Sequence, residues 1–162
     1  MLDDQLEKLY IKYDKELYLY AFSLCKDHHM AQDLASDTFF KAILSFDDNI
    51  SYIKYWLFRV CKNLFLDHIR KDKEFSDIDK LDYMLVLEET PLDKLIDAEE
   101  KRRLYGQVMA LPSSYREVII LYYYCNFTLK EIIKTTGLTE SNAKVLLFRA
   151  RKKLKLKLEG EK

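Results

Sequence analysis

The residues of this chain that could do chemistry are cations and aromatic rings rather than nucleophiles. Between Thr139 and Lys157 the off-stripe positions are Glu140, Ser141, Lys144, Val145, Phe148, Arg149, Arg151 and Lys152. Interleaved with them, Ala143, Leu147, Ala150 and Leu154 follow the i, i+4, i+7, i+11 spacing of a helix's buried stripe. A helix packed on one side and basic on the other fits the DNA major groove, where cations hold phosphates and side chains read base edges. A second set lies upstream. Tyr52, Tyr55, Phe58, Arg59, Lys62, Asn63, Asp67 and Arg70 face away from a stripe made by Ile53, Trp56, Leu57, Val60 and Leu64. Rings alternating with cations suit single-stranded nucleic acid, because rings stack on bases while cations hold the backbone. The same rings could equally pack on a neighbouring helix, and periodicity does not separate the two. The chain has no P-loop and no Ser/His/Asp arrangement, and its three histidines lack metal-ligand spacing, so neither an enzyme, a cofactor nor a metal is expected. Cys25, His28 and His29 lie close in sequence, but paired histidines in a polar interhelix turn are simpler than a zinc site without a fourth ligand.

The elements that must position these residues are helices. Thr128 followed by Glu131 reads as a capping box, and Ile132 and Ile133 give the helix behind it an apolar side. Gly137 suits the positive φ of a helix end, and Thr139 can cap the next helix. Two helices across a short glycine-containing turn form a helix-turn-helix. Before it, Thr90-Pro91 starts a helix with Leu95, Ala98, Leu104, Val108 and Met109 on its apolar side, and Leu111-Pro112 stops it. Ser114-x-x-Glu117 reads as opening the next helix, apolar nearly all round, which Asn126 ends. At the other end of the chain, Leu6, Leu9, Tyr10, Tyr13, Leu17, Tyr20, Ala21 and Leu24 make one helical stripe. Lys26-Asp27-His28-His29 interrupts it, and a second helix from near Met30 turns Leu34, Thr38, Phe39, Ala42 and Ile43 to a core. Asp33, Ser36, Asp37, Phe40 and Lys41 are left outward. Residues 47–51 read as a loop, with Ser51 capping the third helix.

Composition agrees with an all-α chain of two small domains. Of 162 residues 49% are hydrophobic, while Gly 3 and Pro 2 leave little material for strands and turns. Cys25, Cys61 and Cys125 are odd in number and widely spaced, as free thiols in a reducing cytoplasm would be. No apolar run approaches a membrane span, and the acidic start lacks the order of a signal peptide. The net charge of zero conceals a partition, with −6 over residues 75–101 and +8 over residues 102–162. Residues 72–90 carry strong negative charge without helical periodicity and read as a linker, with a short ordered turn near residues 83–87. The expected organisation is therefore 1–71, an acidic linker 72–90, and 91–162.

Two separated stretches then point the same way. The segment from Leu111 to Leu154 resembles region 4 of the small sigma-70-family sigma factors of bacterial RNA polymerase, the extracytoplasmic-function type. Leu111-Pro112, Arg116-Glu117-Val118, Glu131-Ile132, Gly137-Leu138-Thr139 and Arg149-Ala150-Arg151 fall at that family's spacing. Residues 31–42 with 55–71 resemble its region 2, through Asp33-Leu34, Phe39, Trp56-Leu57, Arg59, Asn63, Asp67 and Arg70.

The resemblance implies an alternative sigma factor that binds core RNA polymerase, recognises −10 and −35 promoter elements and promotes melting. It implies that Asp33, Ser36, Asp37 and Phe40 dock the polymerase β′ clamp helices. Asn49, Ser51, Tyr52, Tyr55, Arg59, Lys62, Asn63 and Arg70 would serve −10 DNA, with a base captured out of the stack. Thr139, Ser141, Lys144, Val145, Phe148, Arg149 and Lys152 would serve −35 DNA. The implied partners are core polymerase (β′ clamp helices and β flap), promoter DNA and an anti-sigma factor, often membrane-tethered. A sigma-like polymerase adaptor, or a stand-alone helix-turn-helix regulator, are the other readings. The chain departs from the family pattern at Gln32 and Ser36, where Glu and Gln are typical. Ile133 replaces a small residue and Ala143 a bulky one, an exchange that would conserve core volume. Val145-Leu146 stands where Ser-Arg is common, implying a different −35 sequence or less reliance on it.

Overall fold

The computed structural model describes residues 2–45, 53–71 and 99–160, and among them every regular element is a helix. The chain divides into two compact units, Met1–Leu87 and Glu88–Lys162. The loop expected at 47–51, the linker 72–90 and the helix start at Thr90-Pro91 lie outside the described residues.

The first unit contains α1 (Leu2–Cys25), α2 (His28–Ser45) and α3 (Ile53–Lys71), each packed on the other two. From Leu17 to Ser23 α1 is buried on every side, because both partners cover it there. Lys26 turns the chain with φ 55, its N–H donating to the Phe22 carbonyl at 2.7 Å. Asp27 then caps α2, accepting from the His29 and Met30 N–H groups at 2.9 and 3.3 Å. That cap starts α2 at His28, two residues earlier than the expected start near Met30. Leu34, Thr38 and Ala42 form its buried stripe, and the Thr38 hydroxyl donates to the Leu34 carbonyl at 2.7 Å. Ile43, expected in the core, lies exposed near the end of α2, and Tyr10, expected on the α1 stripe, is also exposed.

The third helix differs most from its periodicity. Phe58, expected outward, is fully buried at 0% exposure and meets the Tyr20 ring at 5.2 Å between centroids. The buried residues of α3 are Leu57, Phe58 and Cys61, while Ile53, Trp56, Val60 and Leu64 are half-buried. The inward face is thus rotated toward Phe58 and Cys61, because α1 offers an aromatic wall to that side. Burying a phenylalanine stabilises the fold by roughly 1.5–3 kcal/mol, so packing overrides the alternative of a free ring.

The second unit contains α4 (Glu99–Met109), α5 (Ser113–Ile119, continued by a π-helical turn Ile120–Tyr124), α6 (Leu129–Thr136) and α7 (Glu140–Gly160). The start of α5 is not the expected Ser114 capping box. Pro112 is the N-cap residue and no side chain caps the helix. Arg116 works backwards instead, donating to the Leu111 and Met109 carbonyls at 3.1 and 3.4 Å and so occupying acceptors left at the end of α4. The π turn ends at Tyr124 with Cys125 as its cap, whose N–H donates to the Ile120 carbonyl at 3.0 Å; Asn126 follows with φ 59, and Phe127 N–H donates to the Leu121 carbonyl at 2.9 Å. Asparagine is among the few side chains that tolerate this conformation. Long α7 packs against α4, α5 and α6, burying Ala143, Leu147 and Ala150.

Candidate nucleic-acid interface

The helix-turn-helix is assembled by local hydrogen bonds. Glu131 N–H donates to the Thr128 hydroxyl at 3.2 Å and Thr128 N–H to the Glu131 carboxylate at 2.8 Å, completing the reciprocal box. Gly137 takes φ 78, a left-handed conformation, and its N–H donates to the Ile133 carbonyl at 2.9 Å. Thr139 caps α7 by accepting from Asn142 N–H at 3.1 Å. Ala143 is fully buried, whereas Ile133 is half-buried, so the bulk gained at 133 sits at the rim rather than wholly in the core.

These contacts fix which residues of α7 look outward. Thr139, Ser141, Lys144, Val145, Phe148, Arg149 and Lys152 are all exposed. At about 100° per residue, Val145 and Lys152 lie opposite the buried stripe, with Ser141 and Phe148 on one side of them and Arg149 on the other. The cations do not act alike. Lys144 pairs with Glu140 at 3.0 Å, an exposed i,i+4 contact worth roughly 0.3–0.5 kcal/mol. Arg151, read from sequence as part of the outward basic face, donates from Nε to the Tyr123 hydroxyl at 2.6 Å. Its guanidinium lies 5.3 Å from the Tyr122 centroid and 5.4 Å from that of Tyr123. Lys153 sits 5.8 Å from the Tyr115 centroid, and Lys157 donates to the Ala110 carbonyl at 3.5 Å. Arg149 and Lys152 are exposed and engage no partner among the described residues. The basic helix is thereby split between cations that tie α7 to α4 and α5 and cations presented to solvent. Sequence reasoning missed the tie. Its signal was the run Tyr122-Tyr123-Tyr124 on the preceding helix together with the position of Arg151 beside buried Ala150.

In the first unit Asp33, Ser36, Asp37 and Phe40 share the exposed side of α2, and Phe40 is 59% exposed. Asp33, Asp37 and Lys41 face Asp67, His68 and Lys71 of α3 across an open cavity of about 670 Å³. On α3, Arg59, Asn63 and Arg70 are exposed, Tyr55 and Lys62 are half-buried, and Arg70 stands 3.8 Å from Asp67. Asn49, Ser51 and Tyr52 lie outside the described residues. His28 is engaged by the Tyr18 hydroxyl, and the Cys25 thiol donates to the Asp27 carbonyl at 3.3 Å, so both serve the α1–α2 turn. Deeper in this unit, burial pushes the Cys61 thiol from 9.0 up to about 12, opposed by a hydrogen bond with Thr38 and reinforced by Cys25. Such a thiol stays protonated and inert.

Comparison with known proteins agrees with both halves of this description. The family model for sigma-70 region 2 matches residues 9–75, and that for sigma-70 region 4 matches residues 101–154. The ECF RNA polymerase sigma factor SigM of Bacillus subtilis is 34% identical over 153 residues, covering 93% of each chain. RNA polymerase sigma factor YlaC of the same organism is 30% identical over 159 residues, covering 94% of this chain and 91% of its own. Among solved structures, the sigma factor RpoE bound to the anti-sigma factor NepR, from Bartonella quintana, matches with TM-score 0.70, 27% identity and full coverage of both chains. CnrH in complex with the cytosolic domain of CnrY has the same TM-score at 22% identity, a likeness of fold, over 99% of this chain and 91% of its own. With two region models in order and a relative matched across nearly its whole length, the chain belongs to the sigma-70 family, as an alternative sigma factor of the ECF type for transcription initiation.

Proposed function

We propose that the chain works as two grips on one promoter, with residues 1–71 engaging polymerase and the −10 element and residues 91–162 engaging the −35 element. The acidic linker 72–90 joins them. Asp33, Ser36, Asp37 and Phe40 on α2 dock the polymerase clamp, a mixed surface of carboxylates around one exposed ring. Tyr55, Arg59, Lys62, Asn63 and Arg70 on α3, with Asn49, Ser51 and Tyr52, hold the unpaired −10 strand. Melting then needs no covalent step, since binding energy to unstacked bases offsets lost stacking. A soluble regulator of this kind acts in the cytoplasm beside its polymerase. Among the described residues no helix is long and apolar enough to cross a membrane. Because RpoE is held by the anti-sigma factor NepR, the same kind of partner is proposed here.

One observation carries the −35 assignment: the face of α7 opposite its buried stripe holds Arg149 and Lys152 without partners among the described residues, while the neighbouring Arg151 is occupied internally. Two sets of variants test the division of labour in complexes with purified core polymerase. Asn63→Ala or Tyr55→Ala should reduce open-complex formation, read by permanganate reactivity of −10 thymines, while core binding persists. Lys144→Glu with Arg149→Glu should weaken promoter binding with helical content unchanged. Transcription untouched by the second pair would refute the role given to α7.

A further inference from the structure

The outward face of α7 carries apolar side chains among its charges. Val145 is 43% exposed and Phe148 65% exposed, three residues apart on one side of the helix. Leu146, between them, is half-buried and packs inward. Ser141 lies on the same face, and Arg149 and Lys152 border the apolar pair without partners among the described residues. Lys144, the remaining cation near the pair, is tied to Glu140. A free helix gains nothing by holding a valine and a phenylalanine side by side in water, and neither is needed for the core, which Ala143, Leu147 and Ala150 supply.

In the major groove only one feature of a base edge is apolar, the C5-methyl group of thymine, and apolar side chains contact it. We propose that Val145 and Phe148 read thymine methyl groups in the −35 element, so that this factor selects that element by apolar contact where a hydrogen-bonding side chain would otherwise discriminate. This rests on the assignment of α7 to the −35 groove. Arg149 and Lys152, one turn further along the same face, hold phosphates and set the depth of the helix, and the apolar pair supplies the discrimination. Cytosine, which presents an amino group and no methyl at the same edge, is rejected because neither side chain can pair with its donor.

Deoxyuridine isolates the claim, since it removes the methyl group and keeps the pairing and the O4 acceptor. The experiment uses holoenzyme assembled from core polymerase and the full chain, on a promoter located by mapping 5′ ends of run-off transcripts. Each thymine of its −35 element, on either strand, is replaced singly by deoxyuridine, and promoter affinity is measured. At one or two positions affinity should fall roughly 4-fold for each methyl lost, the free energy of one buried methylene-sized group. Val145→Ala or Phe148→Ala should abolish that sensitivity at its own position, while Phe148→Leu, still apolar, should retain part of it. Both side chains are exposed, so circular dichroism should show an unchanged fold. Deoxyuridine tolerated at every position, or a penalty that persists in both alanine variants, would overturn the proposal while leaving α7 in the groove. If Lys144→Glu with Arg149→Glu also left binding intact, the assignment of α7 would fall, and this proposal with it.

Discussion

The turn between α6 and α7 and the junction of α1 with α3 are built by opposite means. The first is specified by devices a few residues long: the Thr128–Glu131 box, the left-handed Gly137 and the Thr139 cap. Each satisfies a backbone group its own neighbours leave open, so its form does not depend on the rest of the unit. The second is specified by what distant residues offer one another. Phe58 faces inward because Tyr20 and the buried end of α1 receive it, and nothing beside it in sequence says so. A promoter-binding face whose backbone is locally capped can vary its side chains freely, whereas a face shared with a core cannot. That contrast explains how α7 carries Val145 and Phe148 on its outward face without harm to the fold.

The contrast can be broken most forcefully at its packed side. Phe58→Ala should cost about 3–5 kcal/mol, the usual penalty for an emptied phenylalanine site. Trp56 is the chain's one tryptophan and lies on the same helix, so its fluorescence reports urea unfolding of the first unit directly. A loss below 1 kcal/mol would mean that Phe58 is presented outward after all.

Alkaline pH gives a second test of the same core. Cys61 ionises near 9.0 when unfolded and only near 12 when buried. Above pH 9 the unfolded chain therefore sheds a proton that the folded chain keeps, and stability declines. The contribution is fully present below about pH 9 and is lost between 9 and 12, at about 1.4 kcal/mol per pH unit. Cys61→Ala should flatten that part of the pH profile, measured by the same fluorescence.

The smallest effect concerns the cations of α7. Arg151→Gln removes an exposed hydrogen bond and a ring contact, costing roughly 0.5–1.5 kcal/mol of stability. It should leave the salt dependence of promoter binding unchanged. Arg149→Gln should leave stability within about 0.5 kcal/mol and lower the slope of log affinity against log salt by about 0.9, one phosphate contact. Equal slopes for the two variants would erase the distinction between tying and presented cations.

The same division decides what the sequence discloses. The Thr128 and Thr139 caps, the turn glycine and the Ala143–Leu147–Ala150 stripe are legible because they act on neighbours at fixed spacing, whereas the Ser114 box expected at α5 does not form. So are Leu34, Thr38 and Ala42, and the outward Asp33, Ser36, Asp37 and Phe40. Phe58 is not legible, because an aromatic ring at a helix boundary position fits either a core or a stack of bases until its neighbour is known. The π turn after Ile119 and the withdrawal of Arg151 are hidden for a related reason. An arginine in a basic run reads as a solvated cation unless the tyrosines 28 and 29 residues earlier are known to stand beside it. Arg116 sits at a family spacing whose cause, two helix-end carbonyls, only the fold displays.

A sigma factor chooses where a polymerase begins. Purified core RNA polymerase with and without the full chain, given a genomic DNA library, would be assayed by run-off transcription with 5′ ends mapped. New start sites sharing upstream −35 and −10 motifs are the predicted result. No new start sites, with core polymerase still bound, would contradict it and leave a polymerase adaptor.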